Sequence, residues 1–340
     1  MKALFVGLGS IGQRHLNNFK NIVGDGAEIL VYRETDCNVL IKNGKVRPCV
    51  SLQHYYGFTQ VRTLDDGLKE KPDVVFITNP SSKHLRIALK AARKGCNLFI
   101  EKPLSHTLRG VSLLVKIVNL KDLVVTVGYQ TRFHPCYKFV SKILSGKKYG
   151  DVISASFEWG TYLPNHHPYE DYRRGYAANK KLGGGAVLGL SHEIDIICSF
   201  WGQPEKLYAV GGKLSYLDMD VEDTVSILMG FKRGSLVFPV TLFLSYAQTK
   251  EIRKIRIQLE DALVLCDLSN NRVTLFENSN EIIIQKDFSN LKRNDLFMEE
   301  MSEFINAVRK KQQSSISLYD GIEALKLAMR IKGEIKWVMY

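Results

Sequence analysis

The sequence predicts two domains: an α/β domain built on a parallel sheet, then an α+β domain with a large open, mostly antiparallel sheet. Its 340 residues suffice for about two domains of typical size. In the first third, short apolar runs alternate with amphipathic helical stretches, an order that requires helical crossovers and parallel strands. From about residue 150, strands follow one another without intervening helices, as in antiparallel hairpins.

The first domain is predicted over residues 1–127. Its opening strand, ALFVGL, leads into a helix from Ser10 to about Ile22 and then into the strand EILVYR, which completes a β-α-β unit. Residues 34–60 are less regular, and Thr63 marks the start of the next helix. The alternation continues through strand 73–78, helix 85–95, strand 97–103, helix 107–120 and strand 123–129.

The second domain is predicted over residues 128–290 and is rich in strands. Apolar or alternating segments occur at VISASFEWGTYL, EKLYAVGGKLSY, DTVSILMGF, GSLVFPVTLFLSYAQ, KIRIQLEDALVLCDL, RVTLFEN and EIIIQKD. They predict a sheet of about six strands, with helices at 134–146 and 185–200. Two further helices, at 294–311 and 318–338, form a C-terminal segment (291–340) that we expect to pack back on the first domain.

Composition narrows the function classes. Hydrophobic residues make up 45% of the chain and charged residues 24%, as in ordinary globular proteins. No apolar stretch approaches the length of about 18 residues that a membrane helix needs, so no membrane association is expected. The formal net charge of +12 is compatible with a nucleic-acid partner, with an anionic small substrate or with no more than a basic surface, and alone it does not choose between them. A nucleic-acid partner is disfavoured because the basic residues are scattered and no nucleic-acid-binding motif is present.

The cysteines and the N-terminus bear on the compartment. The six cysteines are Cys37, Cys49, Cys96, Cys136, Cys198 and Cys266. None belongs to a CxxC pair or to a Cys/His cluster with zinc spacing. The N-terminal apolar run breaks at Gly7 and lacks the cleavage site of a signal peptide. We therefore expect a cytoplasmic protein with reduced thiols and no bound metal.

A glycine-rich turn carries the most specific local signal. Gly7, Gly9 and Gly12 form a GxGxxG pattern between a predicted strand and a helix, and a second strand follows about 20 residues later. Gly7 permits the tight turn, Gly9 lets a pyrophosphate approach the backbone, and Gly12 lets helix and strand pack closely. The helix N-terminus supplies N–H donors to the anion. The pattern therefore predicts a dinucleotide cofactor.

The end of the second strand bears on which dinucleotide binds. An acidic residue there accepts a hydrogen bond from the ribose 2′-hydroxyl of NAD, whereas an arginine pairs with the 2′-phosphate of NADP. Arg33 occupies this place and Glu34 follows it. Because the arginine comes before the glutamate, the sequence favours NADP over NAD but leaves NAD open. Arg33 could also be a solvated surface cation.

Two further polar segments are candidates for chemistry. Lys102 follows Glu101 at the carboxyl end of a predicted strand, the edge of an α/β sheet where ligands bind. A lysine there can donate to a substrate hydroxyl or carbonyl and relay a proton. After a run of glycines, His192 and Asp195 lie three residues apart and would share a helix face. Taken alone, each of these residues is better explained as a structural or solvated group than as a catalytic one.

Together these motifs resemble the Gfo/Idh/MocA family of NAD(P)-dependent oxidoreductases, which act on sugars, cyclitols and their derivatives. The similarity is carried by GLGSIGQRH (7–15), TNPSSKH (78–84), EKP (101–103), GYQTRFHP (128–135), LGGG with SHEID (182–195) and VEDT (221–224). These segments occur in the family's order. The resemblance therefore spans nearly the whole chain.

The resemblance implies roles for the matching positions. The implied cofactor-binding residues are Gly7, Gly9, Ser10, Ile11 and Gly12 at the pyrophosphate, Arg33 near the adenosine ribose, Asn79 and His84 along the cofactor, Glu101 near the nicotinamide ribose and Lys102 at the reacting centre. His192 matches the catalytic histidine. The substrate-binding candidates are Tyr162, Tyr172 and Arg173, which resemble a sugar-side segment of members linked to bacterial surface carbohydrates, together with Arg132 and Asp195.

One position departs from the family pattern. Many members have an aspartate a few residues before the histidine, where this chain has Gly189. Loss of that carboxylate removes a group that could anchor the substrate or orient the histidine. The departure bears on the mechanism more than on the fold.

The expected activity is reversible hydride transfer between a nicotinamide and a hydroxyl or carbonyl carbon of a sugar-like substrate, with Lys102 and His192 handling the proton. One alternative is a non-catalytic dinucleotide-binding regulator or assembly subunit. Another is a non-redox enzyme that recycles a bound NAD. By resemblance we expect a homodimer or homotetramer formed through the antiparallel sheet, and VFPVTLFL (237–244) is too apolar for a fully solvated face.

Overall fold

The structure is a computed structural model that describes residues 1–34, 39–42, 45–48, 51–278 and 281–335. They divide into two compact units. Unit 1 comprises residues 1–129 and 297–322, and unit 2 comprises residues 130–296 and the chain from Glu323 on. Cys37 and Cys49 lie outside the described residues. The other four cysteines are free thiols.

Unit 1 is an α/β unit on a six-stranded sheet with the order β5-β2-β1-β6-β7-β8. The strands are β1 (Lys2–Val6), β2 (Glu28–Tyr32), β3 (Val39–Lys42), β4 (Lys45–Pro48), β5 (Thr59–Val61), β6 (Val74–Ile77), β7 (Asn97–Glu101) and β8 (Val125–Gly128). All neighbours in the sheet are parallel, and β3 and β4 form a separate antiparallel pair. The helices are α1 (Ser10–Val23), α2 (Leu52–Tyr56), α3 (Leu64–Lys69), α4 (Ser81–Arg93) and α5 (Val111–Leu120).

Unit 2 contains an eight-stranded sheet with the order β10-β11-β12-β9-β13-β14-β15-β16. The strands are β9 (Val152–Tyr162), β10 (Lys206–Gly212), β11 (Thr224–Arg233), β12 (Leu236–Ser245), β13 (Ala247–Leu259), β14 (Ala262–Asp267), β15 (Arg272–Glu277) and β16 (Ile282–Asp287). Neighbours are antiparallel except β12 and β9, which are parallel. The helices are α6 (Pro135–Gly146), α7 (Ala186–Gly189) and α8 (His192–Trp201). The predicted fold class is confirmed.

The two C-terminal helices are α9 (Arg293–Lys310) and α10 (Leu318–Glu334). An aromatic cluster anchors α9 in the core of unit 1. The rings of Phe5 and Phe76 stack with centroids 4.4 Å apart, and Phe304 of α9 lies against Phe76 and Phe99 at 5.8 and 5.5 Å. Burial of these rings removes a large apolar area from water and stabilises the docking of α9.

Three details differ from the prediction. The segment KIRIQLEDALVLCDL is a hairpin, β13 with β14, because the polar Glu260-Asp261 pair forms a turn, so the sheet has eight strands where about six were expected. The helix predicted at 185–200 is two helices, separated at Leu190 and Ser191. Helix α4 begins at Ser81, directly after Pro80, four residues before the predicted start. No helix among the described residues is long and apolar enough to cross a membrane.

Replacing Phe304 by alanine should lower the free energy of unfolding by about 3–5 kcal/mol, because the ring is fully buried and its loss leaves a cavity. Urea denaturation followed by circular dichroism measures the change. Leu120→Ala, at a position 80% exposed on α5, is the control and should change the stability little. Equal stability of the Phe304 variant and the wild type would show that α9 is not docked through this cluster.

Candidate functional site

The glycine turn between β1 and α1 has the geometry of an anion cradle. Gly7 has φ +95°, and its N–H donates to the carbonyl of Tyr32 over 3.0 Å. A Cβ at Gly12 would lie 2.6 Å from the Gly7 carbonyl oxygen, so only glycine fits there. At Gly9 a Cβ would meet nothing within 4 Å, so this stretch of backbone faces open space. The cradle therefore fits a dinucleotide pyrophosphate.

The beginning of α1 supplies the donors for that anion. Ser10 and Ile11 are its first two residues and are partly exposed. The first turn contains no acidic side chain, so nothing opposes the positive end of the helix dipole. The five residues predicted at the pyrophosphate thus lie together on one turn.

Asn79 and His84 lie at the adjoining β6–α4 junction. A Cβ at Gly7 would be 3.0 Å from the backbone nitrogen of Asn79, so the two turns are in close contact. The ring nitrogens of His84 lie 2.9 Å from the carbonyl oxygen of Pro103 and 2.7 Å from that of Asn79. Burial lowers the pKa of His84, so the ring is neutral and donates to one of these oxygens. The contacts of His84 fix the loops, and its cofactor role stays a prediction.

Glu101 and Lys102 end β7, beside a histidine to which the sequence analysis gave no role. Nε2 of the fully buried His15 lies 2.6 Å from Oε1 of Glu101. The His15 ring packs between Phe99 and Phe297, with centroid distances of 4.7 and 5.8 Å. The backbone N–H of Lys102 donates to Oε2 of Glu101 over 3.1 Å. His15 therefore ties α1 to the end of β7 and fixes the carboxylate beside Lys102.

Arg33 and Glu34 follow β2, as predicted. Arg33 donates from Nη2 to the amide oxygen of Gln60 over 2.7 Å, and its guanidinium lies 6.0 Å from the Phe58 ring centroid. Glu34 forms an ion pair with Lys83 at the start of α4. The carboxylate at this strand end is thus neutralised by a lysine, and the guanidinium is oriented by β5.

In unit 2, His192 begins α8 and is almost fully buried. Nε2 of Gln130 lies 3.3 Å from Nε2 of His192, and the amide N–H donates when that ring nitrogen carries no proton. The indole of Trp159 on β9 faces the imidazole with centroids 5.9 Å apart. An amide and an aromatic ring therefore fix the plane of the imidazole.

Two buried carboxylates follow His192 on the first turn of α8, and each pairs with an arginine. Arg132 donates from Nε and Nη2 to the two oxygens of Asp195 over 2.7 and 2.8 Å. Arg253 of β13 donates from Nε to Glu193 over 2.5 Å. The predicted substrate-binding residues Arg132 and Asp195 thus bind each other, and Asp195 has no exposed surface. Contact of either with a substrate stays a prediction.

Gly189, at the position where the resemblance led us to expect an aspartate, has no room for a side chain. A Cβ at Gly189 would lie 1.6 Å from the hydroxyl oxygen of Tyr246, so the phenol occupies the space that a side chain would need. Tyr246 is almost fully buried, and its ring packs edge-on against His166 at 5.7 Å. Burial raises the pKa of Tyr246 well above its usual value, so the hydroxyl is neutral. A neutral hydroxyl therefore stands where a carboxylate was expected.

The predicted sugar-side segment is a partly exposed tyrosine cluster. The hydroxyl of Tyr162, at the end of β9, lies 3.4 Å from that of Tyr216, which is 85% exposed. The hydroxyl of Tyr172 accepts from the backbone N–H of Asp218 over 3.0 Å. Arg173 is exposed and binds Asp171 through both its Nε and Nη2. Tyr162 and Tyr172 therefore both border the 214–218 loop, while Arg173 pairs locally.

Several residues of these surroundings escaped the sequence analysis, namely His15, Trp159, Tyr216, Tyr246 and Arg253. Arg253 had a usable signal: in a period-2 strand it shares a face with Ile255 and Ile257, which are buried. A cation on the buried face of a strand calls for a carboxylate partner. The other contacts join segments distant in sequence and leave no local signature. Among the described residues, no cluster of histidine, cysteine or acidic side chains is arranged to hold a metal ion.

Comparisons with known proteins agree with this geometry. Residues 1–129 match the model described as an oxidoreductase family with an NAD-binding Rossmann fold. Residues 137–261 match the GFO/IDH/MocA C-terminal domain. The two matches define an oxidoreductase with a dinucleotide-binding unit and a strand-rich second unit. The chain belongs to the GFO/IDH/MocA family, which confirms the resemblance seen in the sequence.

Individual relatives are distant. The uncharacterized oxidoreductase YrbE of Bacillus subtilis is 25% identical over 75% of this chain and 74% of its own length. The chain spans 35%, 42% and 74% of the length of three curated relatives that it matches. Levoglucosan dehydrogenase, solved with NADH and levoglucosan, superposes with a TM-score of 0.80 at 16% identity, covering 98% of this chain and 96% of that one. The WlbA dehydrogenase of Bordetella pertussis, solved with NADH and UDP-GlcNAcA, superposes with a TM-score of 0.77 at 18% identity. The superposition covers 98% of this chain and 96% of that one. At these identities the solved structures support the fold alone.

Gly189→Ala should destabilise the protein by about 3 kcal/mol, because its methyl group would overlap the Tyr246 hydroxyl. Differential scanning calorimetry measures the loss. The double variant Gly189→Ala/Tyr246→Phe removes the overlapping oxygen and should melt above the single variant. A Gly189→Ala protein that melts like the wild type would contradict the assignment of this space to Tyr246.

Proposed function

We propose that the protein is an NAD(P)-dependent dehydrogenase or reductase acting on a hydroxyl or carbonyl carbon of a sugar derivative. The observation that carries the proposal is the cradle at Gly7–Gly12, with open backbone at Gly9 and an unopposed helix N-terminus. Such a cradle suits a dinucleotide. When bound, the nicotinamide supplies the site that accepts or donates a hydride.

The protein's own residues would orient the substrate and move the proton. The imidazole of His192, oriented by the Gln130 amide, is the proposed acceptor of the substrate hydroxyl proton during oxidation and its donor during reduction. Lys102, which directly follows β7 and whose backbone N–H donates to Glu101, is the second residue proposed to handle the substrate proton. The carboxylates of Glu193 and Asp195 are each paired with an arginine, so His192 is the residue of α8 that we propose to exchange a proton.

NADP is the proposed cofactor, with NAD as the alternative. Arg33 lies where a guanidinium would meet a 2′-phosphate, and Gln60 and Phe58 hold it in place. Glu34, the residue that could otherwise accept from a 2′-hydroxyl, is engaged by Lys83. These contacts support NADP because they neutralise the acidic side chain and leave the cation oriented.

The proposed substrate class is an anionic sugar derivative, such as a nucleotide sugar, a sugar phosphate or a sugar acid. The net charge of +12 supports it. Tyr162 and Tyr172 would contact sugar faces, and Arg173 would exchange Asp171 for a substrate anion. One structural neighbour was solved with UDP-GlcNAcA and another with levoglucosan, so the test set contains both kinds of sugar.

The protein is proposed to be a homodimer or homotetramer formed through the antiparallel sheet. Tyr208 and Leu228 are cross-strand neighbours on β10 and β11 and are 63% and 48% exposed, while Val210 is 78% exposed. Their strand neighbours Leu207 and Met229 are buried on the opposite face. An apolar group of this kind on an open sheet face supports association.

Isothermal titration with NADPH, NADP, NADH and NAD tests the cofactor. We expect NADPH to bind most tightly and Arg33→Ala to weaken it about tenfold, because a charge-assisted pair with the 2′-phosphate is lost. NADH binding should change little. Arg93→Ala, an exposed arginine at the end of α4, is the matched control. Absence of binding by all four dinucleotides would refute the oxidoreductase proposal.

Turnover is then assayed with UDP-N-acetylglucosamine, its uronic acid, levoglucosan and myo-inositol, following NADPH absorbance. Lys102→Ala and His192→Ala should each lower kcat by about 10²–10⁴-fold, as expected for loss of general acid–base catalysis. Cofactor binding without turnover on any sugar would favour the alternative of a non-catalytic dinucleotide-binding regulator or assembly subunit. Nicotinamide that survives gel filtration and shows no net reduction would favour the enzyme that recycles its bound NAD.

Leu228→Glu should shift the protein toward the monomer, because a charge on the apolar sheet face opposes its burial in an interface. Light scattering coupled to size-exclusion chromatography gives the mass. Leu120→Glu places the same charge at another exposed leucine, on α5, and should leave the mass unchanged. A wild type that elutes as a monomer at micromolar concentration would contradict the oligomer proposal.

A further inference from the structure

Arg253 lies at the centre of the contacts that surround His192. Its strand position on β13 is directly opposite Trp159 on β9. From there the guanidinium reaches three different segments. It covers the Trp159 ring at 4.0 Å, donates to Glu193 over 2.5 Å and donates to the hydroxyl of Thr131 over 3.3 Å.

Each of these three partners is connected to His192. The Trp159 ring lies next to the imidazole, with centroids 5.9 Å apart and the ring planes tilted by 40°. Glu193 is the next residue along α8, and Thr131 follows Gln130, whose amide lies 3.3 Å from the imidazole nitrogen. One guanidinium therefore holds the aromatic face, the helix and the amide donor that together define the ring's position.

The chemistry of the group suits this use. A planar guanidinium can stack on an indole while its edge donates to a carboxylate and a hydroxyl. The Arg253 side chain is only 17% exposed and that of Glu193 1%, so the pair is desolvated. Removing one member would leave the other charge buried. The arrangement is therefore stiff, and its loss must disturb the groups around His192.

We propose that Arg253 is a positioning residue for His192, setting the orientation of the imidazole through Trp159, Glu193 and Thr131. The inference rests on the proposed acid–base role of His192. Arg253 itself exchanges no proton in the reaction. Its effect on catalysis would fall on kcat, with the KM for the dinucleotide unchanged, because the cofactor cradle belongs to unit 1.

The test that does not depend on activity is modification of His192 by diethyl pyrocarbonate, followed by peptide mass spectrometry. In the wild type the reaction should be slow, since the ring is 3% exposed. Arg253→Met should accelerate it several-fold. Arg253→Lys keeps the charge next to Glu193 but not the planar stack, so its rate should lie between the two. Arg256→Met, on the opposite face of β13, is the matched control and should react like the wild type.

Because Arg253→Met leaves the Glu193 carboxylate buried, the double variant Arg253→Met/Glu193→Gln keeps the test valid if the single variant does not fold. It too should expose His192. Modification of His84, buried in unit 1, is followed in the same samples. Unchanged His192 reactivity in both variants would overturn the proposal, and so would a parallel rise at His84, which would indicate general loosening.

Kinetics supply the second readout once a substrate is known. Arg253→Lys should lower kcat about tenfold or more, as for other residues that orient a catalytic group, and should retain more activity than Arg253→Met. Failure of the proposed function would appear as absent dinucleotide binding or turnover in the wild type. Failure of the positioning role would appear as unchanged His192 reactivity, whichever way the activity assays fall.

Discussion

Pairing of the two buried carboxylates on α8 is the constraint on which the second unit depends. Glu193 and Asp195 have no exposed surface, and an isolated carboxylate in such a place costs several kcal/mol. Their partners come from opposite directions along the chain: Arg132 precedes Asp195 by 63 residues, and Arg253 follows Glu193 by 60. Helix α8, with His192 at its start, can therefore settle only when the β8–α6 connection and β13 are both in place.

The parts of the molecule that the sequence could predict are those with local causes. The glycine turn could be predicted because the positive φ at Gly7 and the close backbone contact at Gly12 each require glycine. Thr63 predicted its helix correctly, since its side chain accepts from the N–H of Asp66. The count of strands was wrong where a two-residue polar turn, Glu260-Asp261, looked like part of one alternating segment.

The surroundings of His192 could not be predicted in the same way, because they depend on pairs of side chains far apart in the sequence. The SHEID segment indicated a helix and a histidine, but nothing near it specifies Arg253 or Trp159. Gly189 is a sharper case. From the sequence alone, Gly189 indicates only that a carboxylate is missing. In the structure the space for a side chain is occupied by Tyr246, a fully buried residue directly after β12. Gly189, which lacks a side chain, and Tyr246, whose hydroxyl occupies that space, lie 57 positions apart in the sequence.

The two units differ in what their candidate sites are made of. The cradle in unit 1 is made of backbone and tolerates no change at Gly7 or Gly12, whereas the side-chain pairs in unit 2 can be exchanged if both members change. With Tyr246 neutral, and with Glu193 and Asp195 each matched by an arginine, these groups around α8 carry no net charge. A carboxylate at position 189 would have added a negative charge to the same helix region. Its absence removes a source of repulsion toward an anion, which supports the proposed anionic sugar substrate.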